Sequence, residues 1–285
     1  MILKNKVAIV TGGSRGIGKA VVISLAKSGC KVVVASIISE DLKNLQKELL
    51  RESFRIEIKK VDVSDYSQVQ RVVKAVVKKF GTVDILVNAA GIYGPIGLFK
   101  DNDIQKWAQT LQVNLLGTVN CVHAVLPIMM KKKSGKIIDF SGGGAVNSFP
   151  NFSGYATSKA AVVRFTETIA EELKPYNVQI NAIAPGAVNT KLLDESLEAG
   201  KKAVGDKFYT KIVQQKKEGG DSPQLAVDLI LFLISDKSFN LTGKLISAKW
   251  DNWKNWKKED IEKLKNNSEY NLRRIDNKDF REVKK

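Results

Sequence analysis

Thr11-Gly12-Gly13-Ser14-Arg15-Gly16-Ile17-Gly18 stands between a short apolar run, Lys6 to Val10, and a segment with helical periodicity, Lys19 to Ser28, that stops at Gly29. Strand, glycine turn and helix in that order are the context a phosphate-binding turn requires. Glycines let the backbone approach a pyrophosphate closely. The start of the following helix offers unpaired N–H groups and the positive end of its dipole. On this reading Gly12, Ser14, Arg15, Gly16, Ile17 and Gly18 cradle a dinucleotide.

Working outward, apolar runs alternate with helical periodicity. Lys31 to Ala35 reads as a strand and Ser39 to Leu50 as a helix. Phe54 to Val61 is a third strand ending at Asp62-Val63, and Ser64 is the expected cap of a helix running to Phe80, with Gly81 as its stop. Further strands are expected at Val83 to Val87, Lys136 to Phe140, Val178 to Ala184 and Lys244 to Ala248. Alternation of this kind predicts an α/β fold with a doubly wound parallel sheet of about seven strands and helices on both faces. Ligands of such sheets bind at the carboxyl ends of the strands. Thr11, Ser36, Asp62, Asn88 and Ser141 all fall at such ends. At the end of the second strand an acidic residue holds a ribose 2′-hydroxyl in NAD sites. Here Ser36 and Ile37 stand there and Arg15 lies in the turn, which favours NADP(H), with NAD(H) as the other candidate.

A second constellation is Tyr155-Ala156-Thr157-Ser158-Lys159, which opens a helical segment from Gly154 to Lys174. Spacing of i,i+4 puts phenol and ammonium on one face. A cation beside a phenol favours phenolate, and such a pair suits proton transfer to or from a carbonyl or alcohol oxygen. Asn114 interrupts the apolar stretch Val113 to Leu116 inside a long helix, Asp101 to Lys133, and predicts a bend or a buried amide there.

Taken together, Thr11 to Gly18, Asn88 to Gly91, Asn114, Tyr155 with Lys159, and Pro185-Gly186 resemble the short-chain dehydrogenase/reductase family, over Lys4 to Ile246. The branch resembled includes the 3-oxoacyl-[acyl-carrier-protein] reductases. The resemblance implies hydride transfer between a nicotinamide and a carbonyl or secondary alcohol. It makes Tyr155 the general acid-base, and Lys159 the group that lowers its pKa and holds the nicotinamide ribose. Asn114 would support a water-linked relay to Lys159. Asp62 and Val63 would contact adenine, Asn88, Ala89, Ala90 and Gly91 would line the cofactor, and Pro185, Gly186, Val188 and Thr190 would pack against the nicotinamide. The family places a serine roughly thirteen residues before the tyrosine; Gly142 stands there, with Ser141 one residue earlier. Ser141 is therefore the candidate for holding the substrate oxygen, with Ser148 and Ser153 as further candidates.

The resemblance also implies a single domain over residues 1–249, in which residues 187–221, polar and lysine-rich, form an irregular substrate lid. Beyond it, residues 250–285 form an extension whose Trp250, Trp253 and Trp256 recur at spacing three, with Ile261 and Leu264 in a short helix. These tryptophans are expected either to pack on the body or a sister subunit, or to wall the substrate pocket. The last dozen residues are highly charged.

Forty-six Lys and Arg against 30 Asp and Glu give a net charge of +16, which attracts an anionic cofactor or an acidic carrier of the substrate. No nucleic-acid recognition motif accompanies it. Cys30 and Cys121 have no metal or redox spacing, His123 is expected in a core or interface, and no metal site is predicted. With no targeting segment and no run expected to span a bilayer, the reading is a cytoplasmic, small-molecule-directed homodimer or homotetramer.

Overall fold

The structure, a computed structural model, describes residues 3–273. Seven parallel strands lie in the order β3-β2-β1-β4-β5-β6-β7. They are β1 (Val7–Thr11), β2 (Lys31–Ser36), β3 (Ile56–Lys60), β4 (Ile85–Asn88), β5 (Gly135–Phe140), β6 (Val178–Ala184) and β7 (Leu245–Ser247). β1, β4 and the inner part of β2 are buried throughout. Helices on both faces cover a central strand, so these sequences are continuously apolar rather than alternating. The strand order reverses between β1 and β4, the point where such sheets open a crevice at their carboxyl edge.

One face carries α1 (Gly16–Lys27) and α2 (Ser39–Arg51). The other carries α3 (Tyr66–Phe80) and the long helical stretch Ile104–Lys132. Asp65, not Ser64, caps α3: its Oδ1 accepts from the N–H groups of Ser67 and Gln68 at 2.9 and 3.2 Å. Ser64 instead donates its hydroxyl to Asp62 Oδ1 at 2.7 Å. A carboxylate makes the stronger, charge-assisted cap.

The stretch Ile104–Lys132 is long and apolar enough to cross a membrane, contrary to the sequence expectation. Here it is a layer of the fold, made of α4 (Ile104–Leu111), a π-helical turn (Gln112–Leu116) and α5 (Gly117–Lys132). The buried residues of α5 pack on the sheet with Val73 and Val76 of α3. The π turn is the predicted irregularity, and it carries the buried Asn114. His123, expected in a core or interface, is not in the core: it is exposed on this chain and pairs through Nδ1 with the Tyr66 hydroxyl at 2.5 Å.

α6 (Ser153–Leu173) carries Tyr155 and Lys159. After β6 the predicted irregular lid is in fact two helices, α7 (Lys191–Val204) and α8 (Asp206–Glu218). The periodicity of Leu193, Leu197, Val204, Phe208 and Ile212 supplies their common apolar side. Then come α9 (Pro223–Ile234), capped by Ser222, and β7.

The extension closes onto α9. Trp253 lies in the same core as Val22, Leu25, Leu229 and Leu233, and α10 (Lys258–Lys265) adds Ile261 and Leu264 to it. Trp253 is 5% exposed and Trp250 79%, so the spacing-three tryptophans do not share a role. The rings of Trp253 and Trp256 face Phe232 at 5.6 and 6.4 Å, on the body and not in the crevice. The charged stretch 274–285 lies outside the described residues.

Candidate active site

The glycine turn is built for close approach. Gly12 has φ +62°, and a Cβ there would lie 2.7 Å from Ala90 Cα. Gly18 is equally closed, by the carbonyl of Gly12. Ala89 and Ala90 thus back the turn, tied to Thr11 through N–H bonds of 3.3 and 3.4 Å. α1 begins at Gly16 with no side-chain cap and no acidic residue in its first turn. Its first N–H groups thus have no side-chain cap and no carboxylate from their own turn, as a phosphate site requires. The residues present therefore fit a dinucleotide. Thr190, at the start of α7, lies against Gly16: a Cβ added to Gly16 would be 3.2 Å from Thr190 Cγ2. The structure thus brings Thr190, the end of the Pro185-to-Thr190 segment, to the turn.

At the end of β2, Ser36 Oγ accepts from Ser14 Oγ at 2.9 Å. Arg15 donates from Nη2 to Asp41 Oδ1 at 2.9 Å and pairs with its other oxygen through Nε. Asp41, in the first turn of α2, was not singled out in the sequence, because only the residues at the strand end were weighed. Asp62 is engaged by Ser64, and Val63 packs on Gly117 of α5. Asn88 is directed into the sheet, its Nδ2 donating to Asp139 Oδ1 at 2.8 Å. Asp139 also accepts from Thr166 Oγ1 at 2.8 Å. Burial pushes this carboxyl up to about 6 against the pull of those two bonds and of Lys159. A charged residue in the apolar strand Gly135–Phe140 is the signal that marks Asp139 in the sequence.

Tyr155 and Lys159 lie side by side, Nζ 5.7 Å from the ring centroid. Lys159 Nζ donates to the Phe140 carbonyl at 2.7 Å. Burial lowers Lys159 to about 8, opposed by Asp139. Burial, and then the neighbouring Tyr93, raise Tyr155 above the ordinary phenol value. Desolvation penalises the charged form of each group. Gly91 adjoins both Lys159 Nζ and Asn114 Oδ1.

Asn114 is bonded through both ends of its amide. Oδ1 accepts from Ile92 N–H at 2.8 Å, and Nδ2 donates to Ile92 O and Ser158 Oγ, both at 2.9 Å. Its side chain clamps a loop to α6.

Ser141 is turned toward the backbone of α6. Its hydroxyl is buried and donates to the Lys159 carbonyl at 3.4 Å. Gly142 is the residue that faces the tyrosine: a Cβ there would lie 2.5 Å from Tyr155 Oη. Ser148 is exposed, and Ser153 Oγ accepts from Trp107 Nε1 at 3.1 Å. Aromatic rings missed in the sequence surround Tyr155. Tyr93 meets it edge-on at 4.7 Å, Phe149 stacks on Phe152 at 4.3 Å, and Phe208 of α8 closes over both at 5.1 and 5.2 Å. They were not legible because they come from three loops and helices far apart in sequence.

A dinucleotide cradle at the β1–β4 reversal, opposite a phenol and an ammonium on one helix, defines the class: a Rossmann-type oxidoreductase using NAD(P)(H). The profile of the short chain dehydrogenase family matches residues 6–201. The chain belongs to the short-chain dehydrogenase/reductase family. It is 33% identical over 246 residues to the 3-oxoacyl-[acyl-carrier-protein] reductase FabG of Thermotoga maritima, covering 86% of this chain and 97% of the relative. It is 34% identical over 247 residues to the trans-4-hydroxycyclohexanecarboxylate dehydrogenase of Sinomonas cyclohexanicum, covering 84% and 89%. The NAD+-bound xylitol dehydrogenase structure superposes with a TM-score of 0.80 at 28% identity, covering 86% and 97%.

Proposed function

We propose that this chain is an NADP-preferring reductase of a carbonyl group, with a 3-oxoacyl thioester as the first substrate class. The observation that carries the reading is Tyr155 beside Lys159 on α6, with Lys159 Nζ against Gly91, next to the Ala89-Ala90 pair that backs the glycine turn. When bound, the nicotinamide supplies the hydride. Tyr155 protonates the oxygen on which charge develops, and Lys159 holds the ribose and favours that proton's departure. Ala89, Ala90 and Gly91 support the cofactor, and Val188 and Thr190 position its carboxamide. Residues 1–249 form the catalytic body, 187–221 the lid over the substrate, and 250–285 an extension. The enzyme works in the cytoplasm as a homodimer or homotetramer, and its positive surface receives an acidic carrier of the thioester.

The aromatic wall of Tyr93, Phe149, Phe152 and Phe208 favours a second reading, a sugar- or polyol-directed dehydrogenase, since flat faces pack well on rings. The third alternative, a cofactor-binding scaffold without turnover, leaves the buried Lys159 without a purpose. NADPH oxidation against a β-ketoacyl thioester and a set of keto-sugars separates them. Thioester turnover is the expected result. Turnover of keto-sugars alone selects the second reading, and NADPH binding without any turnover selects the scaffold.

Cofactor preference is proposed to rest on Arg15. A ribose 2′-phosphate competes with Asp41 for the guanidinium, and no acidic residue stands at Ser36 to repel it. Arg15→Ala is expected to raise the KM for NADPH about tenfold, or ~1.4 kcal/mol, and the KM for NADH less than about twofold, within the spread of exposed ion pairs. Equal effects on the two cofactors would remove Arg15 from the argument.

A further inference from the structure

An oxygen accepting a hydride-derived charge gains most when two preorganised donors face it. Tyr155 is one. The glycine loop offers no hydroxyl for the second, since Gly142 fills the nearest position and Ser141 is turned to the Lys159 carbonyl. Ser158 is also spent: its hydroxyl donates to the Tyr155 carbonyl at 2.7 Å and accepts from Asn114. Tyr93 remains. Its ring lies edge-on to Tyr155 at 4.7 Å and 77°, and its other side rests on Phe152 at 5.0 Å.

Resting on the proposed carbonyl chemistry, we infer that Tyr93 is a catalytic residue, donating the second hydrogen bond to the substrate oxygen that a serine would otherwise supply.

The loop carrying Tyr93 is fixed on both sides. Before it, Asn114 holds both the N–H and the carbonyl of Ile92. After it, Gly94 has φ +71°, and the Thr110 hydroxyl fills the space a Cβ would need. Only glycine fits there, so the turn is locked against α4. The buried Asn114 thus places the residue next to Tyr93. Burial, then the Glu195 carboxylate, push the Tyr93 phenol up to about 12. At neutral pH it therefore carries a proton to donate. During reduction Tyr93 keeps that proton. Tyr155 gives its own to the oxygen, the hydride goes to carbon, and solvent reprotonates Tyr155.

Tyr93→Phe keeps the ring and every packing contact and removes only the hydroxyl. Steady-state kinetics of this variant and of Tyr155→Phe, with the full-length protein and the carbonyl substrate turned over by the parent, test the inference. Tyr93→Phe is expected to lower kcat roughly 100-fold, the effect of removing one such donor. NADPH affinity, read by its fluorescence, is expected to stay at the parental value. A Tyr93→Phe kcat within threefold of the parent, with Tyr155→Phe inactive, overturns the role of Tyr93 and leaves the proposed function standing. Parental turnover by Tyr155→Phe overturns both.

Discussion

Tyr155→Phe is expected to lower turnover by roughly 100- to 10,000-fold, the range supplied by general acid-base catalysis, while NADPH binds as before. The hydroxyl it removes stands over Gly142 with no side chain between, so phenylalanine fits the same space. Edge-on packing against Tyr93 and the Phe149 contact at 6.3 Å involve the ring alone and survive. The phosphate turn, twelve dozen residues upstream, is untouched. Loss of turnover with unchanged NADPH quenching and unchanged melting temperature is thus the signature of a lost proton donor. A drop in melting temperature would instead assign the hydroxyl a structural role. Retained turnover would place the chemistry elsewhere and leave Tyr155 as a packing residue of the aromatic wall.

The sequence showed what is local. Glycine turn, strand ends and the Tyr155–Lys159 spacing each depend on a few neighbouring residues, and the structure places Gly12, Gly18, Ala90, Gly91 and Lys159 around one crevice. What it hid depends on side chains meeting across distance. Nothing near Arg15 announces Asp41, which arrives on the next helix. Ser141 was an attractive donor by its number alone. The chain stays extended past the end of β5, at Gly142 φ −174° and ψ 172°, and extended backbone turns neighbours to opposite sides, so residue 142 faces Tyr155 and residue 141 faces the backbone of α6. A polar residue among apolar ones at 114 predicted a buried amide correctly. Its partner, the Ile92 backbone, lies in a loop that has no signature of its own. The lid looked irregular because its lysines mask the apolar side that α7 and α8 share.

Trp253→Ala is expected to cost about 3–5 kcal/mol of stability, the range for truncating a buried tryptophan. That corresponds to roughly 10 °C in melting temperature for a chain of this size. Trp253 reaches between Phe232 of α9 and the Ala248 carbonyl, to which its Nε1 donates at 3.2 Å. Its neighbours in the core include α1 residues behind the phosphate turn. Alanine leaves a cavity that rigid strands and helices on every side cannot close. Trp250→Ala, in the same segment, is the control: an indole 79% exposed, with Lys249 over its face, contributes within about 0.5–1 kcal/mol. The extension is anchored beyond Trp253 as well. Lys244 Nζ, buried beside β7, donates to the carbonyls of Asn267 and Glu269 at 2.7 and 3.0 Å, and Tyr270 O accepts from Leu245 N–H at 2.8 Å. The extension thereby pairs the outer edge of β7, which unpaired would template association. If the extension belongs to the body in this way, kcat per folded molecule is the same in both tryptophan variants and only the melting temperature separates them. A changed substrate KM in Trp253→Ala at a temperature where it is fully folded would return the extension to the substrate pocket.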